Sequence, residues 1–335
     1  MAKTHTIAII GAGLAGMRLA QLLQGVATVS VFEKSRGVGG RMSTRRADPF
    51  SFDHGAQYFS AQTVEFKEFL APLIAKGVVQ PWPARLMSLP YASPVPPAWS
   101  SPRYVAVPGM TALAKALDAD VGVTRGSHID GLQGRAGHWT LSDREGGVFG
   151  PFDWVISTAP AIQTAALLPR NMAGRAALDQ ARMRGCYSVM IGVDDPVITG
   201  WDAAWVGQGP LAWIAVNSSK PGRASASQSI VAQTSNVWAA ANLERDQQAV
   251  QAELLAAFAH VTGHDVSQAA YTSLHRWRYA NVDVPSGAPF FMDPQAGLAA
   301  AGDWCGTGKV EAAFISASTL AAALVNEIVN ARPVA

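Results

Sequence analysis

The sequence predicts an α/β (mixed α+β) chain of two interleaved domains, one on a parallel strand–helix–strand unit and one on a mixed sheet. Three observations carry this. Thr6–Ile10, Leu14–Leu23 and Thr28–Glu33 read as strand, helix and strand within the first 33 positions, the minimum parallel unit. The middle of the chain reads as a series of short strands. The chain then closes, after a stretch at 295–301, on a long apolar helix, Val310–Val329. With 335 residues there is enough chain for two domains, at roughly 100–200 residues each.

The elements follow in order. TIAII is a continuous apolar, β-branched run, as a buried strand requires. The helix after it stops at Gly25, the usual residue just past a helix end. Residues 35–60 form a Gly/Arg/Ser-rich loop region. The proline-rich stretch 81–102 reads as an extended connection or lid, since proline offers no backbone donor. Pro108-Gly109-Met110 opens a helix, Thr111–Leu117. Short strands follow at Val121–Thr124, Ser127–Leu132 and His138–Leu141. Trp154–Thr158 reads as a buried strand that ends at Pro160. Strands are expected at 185–193, 211–217, 229–234 and 237–242, and a helix at Arg245–Val261. The first domain is expected over 1–60, 104–160 and 295–335, and the second over 61–103 and 161–294.

Composition excludes several classes. Hydrophobic residues make up 49% and charged residues 15%, which rules out general disorder and suits a chain that buries a large ligand or partner surface. The net charge of +2 is too small to imply nucleic acid. Its distribution is uneven: Lys3, Arg18, Lys34, Arg36, Arg41, Arg45 and Arg46 face only Glu33 and Asp48 in the first fifty residues, so the N-terminal end attracts anions. Two cysteines, Cys186 and Cys305, exclude a disulfide framework or a Cys-rich zinc site and fit a reducing compartment. No apolar run reaches the ~20 residues of a bilayer span, and the N-terminus does not read as a signal peptide, so the expectation is a cytoplasmic protein with no membrane partner. His260 and His264 could share a helix face, but Gly263 interrupts them and no third ligand is evident, so no metal is expected.

The chemistry-bearing motif is Gly11-Ala12-Gly13-Leu14-Ala15-Gly16. Gly11 permits the tight turn, Gly13 the approach of a pyrophosphate, and Gly16 close packing of helix on strand. The helix N-terminus offers N–H groups and a positive dipole end. Glu33, 22 residues after Gly11 at the end of the second strand, is placed to accept from ribose hydroxyls. Arg36-Gly37-Val38-Gly39-Gly40-Arg41-Met42-Ser43-Thr44 then brings bare backbone and a guanidinium against the same phosphates. Gly306-Thr307-Gly308-Lys309 is no P-loop, because Asp303 and Val310 stand where that motif needs Gly and Ser/Thr.

Over residues 6–44 this pattern resembles the flavin-containing amine oxidase superfamily, whose signature is GxGxxG, a Glu, then RxGGRxxT. Gly302-Asp303 with Val310-Glu311-Ala312 resembles its C-terminal flavin signature. The resemblance implies a Rossmann-like FAD-binding domain of the amine oxidase/glutathione reductase type, interleaved with a mixed-sheet substrate domain. It assigns noncovalent FAD to Gly11, Ala12, Gly13, Gly16, Glu33, Lys34, Gly40, Arg41, Ala56, Gln57, Ile129, Asp303, Val310, Glu311 and Ala312. Ala312 and Ala317 stand where glycines are common, a small departure.

Phe52-Asp53-His54-Gly55-Ala56-Gln57-Tyr58-Phe59, Leu211–Asn217, His275–Ala280 and Gly302–Cys305 narrow the resemblance to the renalase family, especially its bacterial members. That resemblance implies oxidation of isomeric NAD(P)H, reduced at the nicotinamide 2- or 6-position, to NAD(P)+, with oxygen as acceptor and hydrogen peroxide as product. Hydride transfer to flavin N5 needs a stacked, desolvated donor more than an acid or base. Tyr58, Trp213, Trp277 and Tyr279 are candidate pocket walls. Asn217, at the end of an apolar strand, is expected at a cavity rim, facing a carboxamide. His275, Arg276 or Arg103 could hold the carboxamide or a phosphate. On a strand, His275 and Trp277 share one face and Arg276 and Arg278 the other. No individual catalytic residue is assigned. The rival is an amine oxidase, but no Tyr follows Tyr279, only Trp304, and HRWRY offers Arg where many members place a Lys. A non-enzymatic binding module is the other alternative, disfavoured by intact signatures at both chain ends.

Overall fold

The computed structural model describes residues 5–90, 99–117, 121–224 and 226–330. The chain divides into two compact units, 1–40 with 113–183 and 282–335, and 41–112 with 184–281.

The first unit is built on a six-stranded sheet in the order Phe291–Asp293, Leu298–Ala300, Trp154–Ser157, His5–Ile10, Ala27–Glu33, Val123–Arg125. All neighbours pair in parallel except the first two. The central strand is buried on both faces, with Ile7, Ala8 and Ile9 fully inaccessible, which is why it reads as one apolar run. The helix Leu14–Leu23 and the last helix, Val310–Asn330, pack on each other. A three-stranded antiparallel sheet, Val148–Phe152, Trp139–Asp143 and Ile129–Gln133, closes a core of Phe32, Ile129, Trp139, Leu141, Phe152 and Trp304.

The second unit is a mixed six-stranded sheet in the order Tyr271–Val284, Arg182–Val193, Gln228–Thr234, Leu211–Val216, Ala203–Val206, Leu86–Leu89. Strand alternation divides its faces. Val189, Ile191, Ile214, Ile230 and Ala232 pack against Val250, Leu254 and Phe258 of the helix Gln247–Thr262. On the other face Met190 and Val231 pack against Phe50 and Phe52 of a hairpin formed by Thr44–Ala47 and Phe50–Asp53. That second face carries the side chains discussed below.

Several expectations need correction. Residues 237–242 are helical, within Asn236–Asn242, because the Ser235 hydroxyl caps the Trp238 N–H and an alanine run follows. The loop region 35–60 contains the hairpin just described. The 81–102 stretch contributes the strand Leu86–Leu89, paired in parallel with Ala203–Val206; its residues 91–98 lie outside the described ones, as do residues 118–120. The helix at 111 ends at Lys115, and the strands after it begin at Val123, Ile129 and Trp139. The units cross at 40/41, 112/113, 183/184 and 281/282, not at the expected positions. The hairpin belongs with the second sheet, whereas Ala161–Leu178, through Ala161, Leu168, Met172 and Leu178, joins the core of the first. The last helix, at 21 residues, is long and apolar enough to cross a bilayer by length and composition, contrary to the sequence expectation. Its Phe314, Ala317, Leu320, Ala321 and Leu324 are buried.

Candidate functional site

In the first unit the motif residues gather at the carboxyl edge of the parallel strands, where open α/β sheets bind ligands. Gly11 has φ +106°, and a Cβ there would lie 2.7 Å from Thr158 Oγ1. A Cβ on Gly16 would lie 1.9 Å from the Gly11 carbonyl oxygen, so that position requires glycine. Gly13 differs: nothing lies within 4 Å of its would-be Cβ. It is also the N-cap of the helix Leu14–Leu23, with no side-chain cap and no acidic residue in the first turn. The N–H groups of that turn carry no side-chain cap, and the helix dipole presents its positive end beside open space.

Glu33 is buried, and each of its oxygens accepts one backbone N–H, from Ala12 at 2.9 Å and Ser35 at 2.8 Å. A carboxylate oxygen has a second acceptor site, so both can still receive a hydroxyl. The Gly39 N–H donates to the Ala12 carbonyl at 2.8 Å, and a Cβ on Gly40 would meet the Gly13 Cα at 3.4 Å. The double glycine thus lies on the GxGxxG turn. Lys34 is exposed. The Ser127 N–H donates to the Glu33 carbonyl, which leads the chain past this edge to Ile129, buried in the core. At the neighbouring strand end, the Asp303 carbonyl accepts from the Gly306 and Gly308 N–H groups, its side chain is buried, and the helix carrying Val310, Glu311 and Ala312 begins. Trp304 is fully buried, stacked on Phe291, with its Nε1 donating to the Ala159 carbonyl.

In the second unit, the Arg41 carbonyl accepts the Ala56 N–H at 2.8 Å, and a Cβ on Gly55 would lie 1.9 Å from that oxygen. The Arg41 guanidinium donates to the Ala280 carbonyl. His54 stacks on Trp277 at 5.3 Å and meets His275 edge-on at 4.8 Å. The Trp277 indole donates to the His54 carbonyl. Arg276 and Arg278 point the other way, to the Leu243 carbonyl and to Glu244, as strand alternation predicts. Burial, followed by the Arg45 charge, pushes the His54 imidazole down to about 4. Burial, then His54 and Arg45, pushes His275 down to about 4 as well. Both rings are neutral near pH 7. Tyr279 lies half-buried further along the same strand.

Asn217 is not at a cavity rim. It is fully buried: its Oδ1 accepts from the Asp53 N–H and from Lys220 Nζ, and its Nδ2 donates to the Ser51 carbonyl. Gln57 is spent likewise, donating to the Asp53 and Gly55 carbonyls and accepting from Lys220, so only its backbone is left for a ligand. At the centre of this network sits Asp53, bonded to Lys220 at 3.3 Å, Arg223 at 2.6 Å, the Met110 N–H at 2.9 Å and Thr44 Oγ1 at 2.7 Å. Burial pulls the Asp53 carboxyl upward, but the two cations and these hydrogen bonds outweigh it and hold it below its usual range. Burial pushes the Lys220 ammonium down to about 8.

Tyr58 and Trp213 do come together, at 5.7 Å, with Trp82 and Trp99 as further neighbours of Tyr58. Sequence reasoning missed Trp82, Trp99, Lys220 and Arg223. The first two lie in or beside the proline-rich stretch, and NSSKPGR reads as a solvated basic turn.

Residues 9–73 match the NAD(P)-binding Rossmann-like domain family. Three solved oxidases are similar over almost the whole chain. A putative protoporphyrinogen oxidase from Exiguobacterium sp. 255-15 has TM-score 0.76 at 11% identity, covering 97% of this chain and 99% of that one. Cyclohexylamine oxidase from Brevibacterium oxydans IH-35A has TM-score 0.72 at 14% identity, covering 97% and 100%. A putrescine oxidase bound to putrescine has TM-score 0.67 at 14% identity, covering 96% and 99%. The chain has the fold of these oxidases. Its first unit supplies the Rossmann-like dinucleotide edge, and its second the mixed sheet whose hairpin-bearing face holds the aromatic and imidazole groups.

Proposed function

We propose that the protein is an oxidase with noncovalent FAD that converts isomeric dihydronicotinamide dinucleotides, 2- or 6-dihydro-NAD(P), to NAD(P)+. The observation that carries the cofactor reading is the helix start at Gly13, without a side-chain cap, open to a ligand and with the Glu33 carboxylate bonded to the Ala12 N–H beside it. Gly11, Ala12, Gly13 and Gly40 would hold the pyrophosphate and Glu33 the ribose, with Asp303 and the start of the last helix serving the flavin end. When bound, FAD would supply a hydride acceptor and a route for two electrons to oxygen. The substrate ring gives up one hydride; oxygen takes those two electrons and two protons, one of them from solvent, to become hydrogen peroxide. No residue needs to remove a proton from the ring, and the neutral His54–His275–Trp277 face suits that demand. Cys186 and Cys305 are buried thiols pushed up to about 11 by burial, so neither would offer flavin a reactive thiolate.

Acid precipitation is expected to release all the yellow colour. Glu33→Ala is expected to weaken FAD binding roughly 10–150-fold, the ~1.5–3 kcal/mol of a charge-assisted hydrogen-bonding group, read as flavin retained through gel filtration after dilution. Unchanged occupancy would remove Glu33 from the ribose.

The second reading is an amine oxidase, favoured by the names of two structural neighbours. Anaerobic stopped-flow mixing separates the two. Flavin bleaching is expected to be fast with 2- or 6-dihydronicotinamide dinucleotides and negligible with benzylamine or catecholamines. Fast bleaching by amines alone would promote the second reading.

A further inference from the structure

Strand alternation gathers a cation and two imidazoles on one strip of the second unit. In the hairpin, Arg45 pairs across from Phe52, so the two side chains share a face. His54, just past the strand end, continues that face. Phe52 packs there against Met190 and Val231 and stacks on Tyr271. On the strand Tyr271–Val284, the same alternation turns Ser273, His275 and Trp277 toward the hairpin. Arg45 Nη1 donates to Ser273 Oγ at 2.7 Å, the His54 and His275 rings meet at 4.8 Å, and His54 Nε2 lies 3.3 Å from Ser43 Oγ. Arg45, Ser273 and His275 are half-buried, and their strand is the outermost of its sheet. A small ion can reach them from the sheet edge without opening the core.

The strip holds a charge without a counter-charge. Among the described residues no carboxylate pairs with Arg45, whose side-chain hydrogen bond goes to a neutral hydroxyl. Asp53, next to His54 in the chain, is held by Lys220 and Arg223. Arg276 and Arg278 turn away to the Leu243 carbonyl and to Glu244. The groups left facing Arg45 are the two imidazoles. Burial is the first cause of their neutrality, and the Arg45 charge opposes protonation of both. An anion on Arg45 would cancel that opposition. An imidazolium would then gain the anion as partner, and for His54 also the Trp277 face on which it stacks.

We propose that Arg45, Ser273 and His275, with His54 beneath them, form a binding site for a phosphate group. The guanidinium donates to two of its oxygens as a fork, and the Ser273 hydroxyl and a His275 N–H are further donors. Filling the site draws a proton onto the imidazole pair. The site stands independently of the oxidase reading. Free phosphate and a phosphate ester share this chemistry.

The test is titration calorimetry of the purified, flavin-loaded protein with sulfate, which keeps its double charge between pH 6.5 and 8.0, whereas phosphate titrates there. Because the filled site holds more protons, sulfate is expected to bind at least fivefold more tightly at pH 6.5 than at pH 8.0. Arg45→Gln is expected to weaken sulfate at least tenfold at pH 6.5, and Arg45→Lys, which keeps the charge but not the fork, to weaken it less. His275→Asn keeps a donor but cannot charge, and is expected to reduce the pH ratio to twofold or less. Absence of saturable sulfate binding in the unaltered protein would overturn the proposal. So would equal binding in Arg45→Gln, which would place the ion elsewhere, or equal affinity at the two pH values in the unaltered protein. Competition against sulfate then separates the sources. Tighter displacement by ribose 5-phosphate than by inorganic phosphate assigns the site to an ester, the reverse assigns it to free phosphate, and both uphold it.

Discussion

Asp53→Asn is expected to cost roughly 3–5 kcal/mol of folding stability, the usual penalty for breaking a buried ion pair from one side. Asp53 has no exposed surface, and its charge is shared by Lys220 and Arg223, themselves almost wholly buried. Asparagine keeps the volume and one acceptor oxygen but removes the charge and turns an N–H₂ toward two cations. The Arg223 guanidinium then remains in the interior without a counter-charge, Lys220, already pushed down to about 8 by burial, loses the carboxylate that favours its charged form, and the Met110 N–H and Thr44 hydroxyl compete for what acceptor remains. Against a total of about 5–15 kcal/mol for a typical domain, this is a large share. Lys220→Met should cost less, because Arg223 at 2.6 Å still neutralises Asp53 and the methionine fills the ammonium's stem volume. Urea unfolding followed by circular dichroism measures both. A loss below about 1 kcal/mol in Asp53→Asn, or a larger loss in Lys220→Met, would show that the charges do not act as described.

The N-terminal strand, helix and strand were legible because three signals coincide there: apolar runs, glycines at fixed spacing, and an acidic residue at the second strand's end. The facing of His275 and Trp277 was legible for a similar reason, since a period of two needs no tertiary information. What was not legible depends on distant partners. The hairpin at 44–53 is polar along Thr44–Ala47, and its apolar Phe50 and Phe52 acquire meaning only against Met190 and Val231. Asn217 ends an apolar strand, as read, but the Ser51 carbonyl that captures its amide is 166 residues away in the chain. In VWAA the valine and tryptophan suggest a strand, yet the Ser235 cap and the alanines decide for helix. Lys220 and Arg223 look like surface charges until Asp53 is brought between them.

Stability is expected to fall steeply as pH drops from about 6.5 to about 4. His54 and His275 both take up a proton near 6.5 in the unfolded chain and near 4 in the folded protein. Between those values the unfolded state binds more protons, so stability rises with pH through the window and is lost on acidification through it. For His54 the whole shift corresponds to roughly 3 kcal/mol. His275 is half-buried and contributes less after screening, and with ring centres 4.8 Å apart the two do not titrate independently. Their surroundings offer too little rescue: the Phe52 carbonyl and Asp53 favour a charged His54, but Asp53 is already shared by two cations, and burial with the Arg45 charge outweighs both. Asp53 works in a different range, since its depressed carboxyl contributes stability above the ordinary carboxylate value near 3.8 and loses it only as pH falls further. Loss between pH 6.5 and 4.5 therefore reports on the imidazoles. Urea midpoints measured across that range for the unaltered protein and for His54→Gln, which keeps a donor and an acceptor but cannot charge, are expected to show a slope reduced by about half or more in the variant. A flat profile in the unaltered protein, or an equal slope in both, would mean that the His54–His275 pair is not held neutral by its burial.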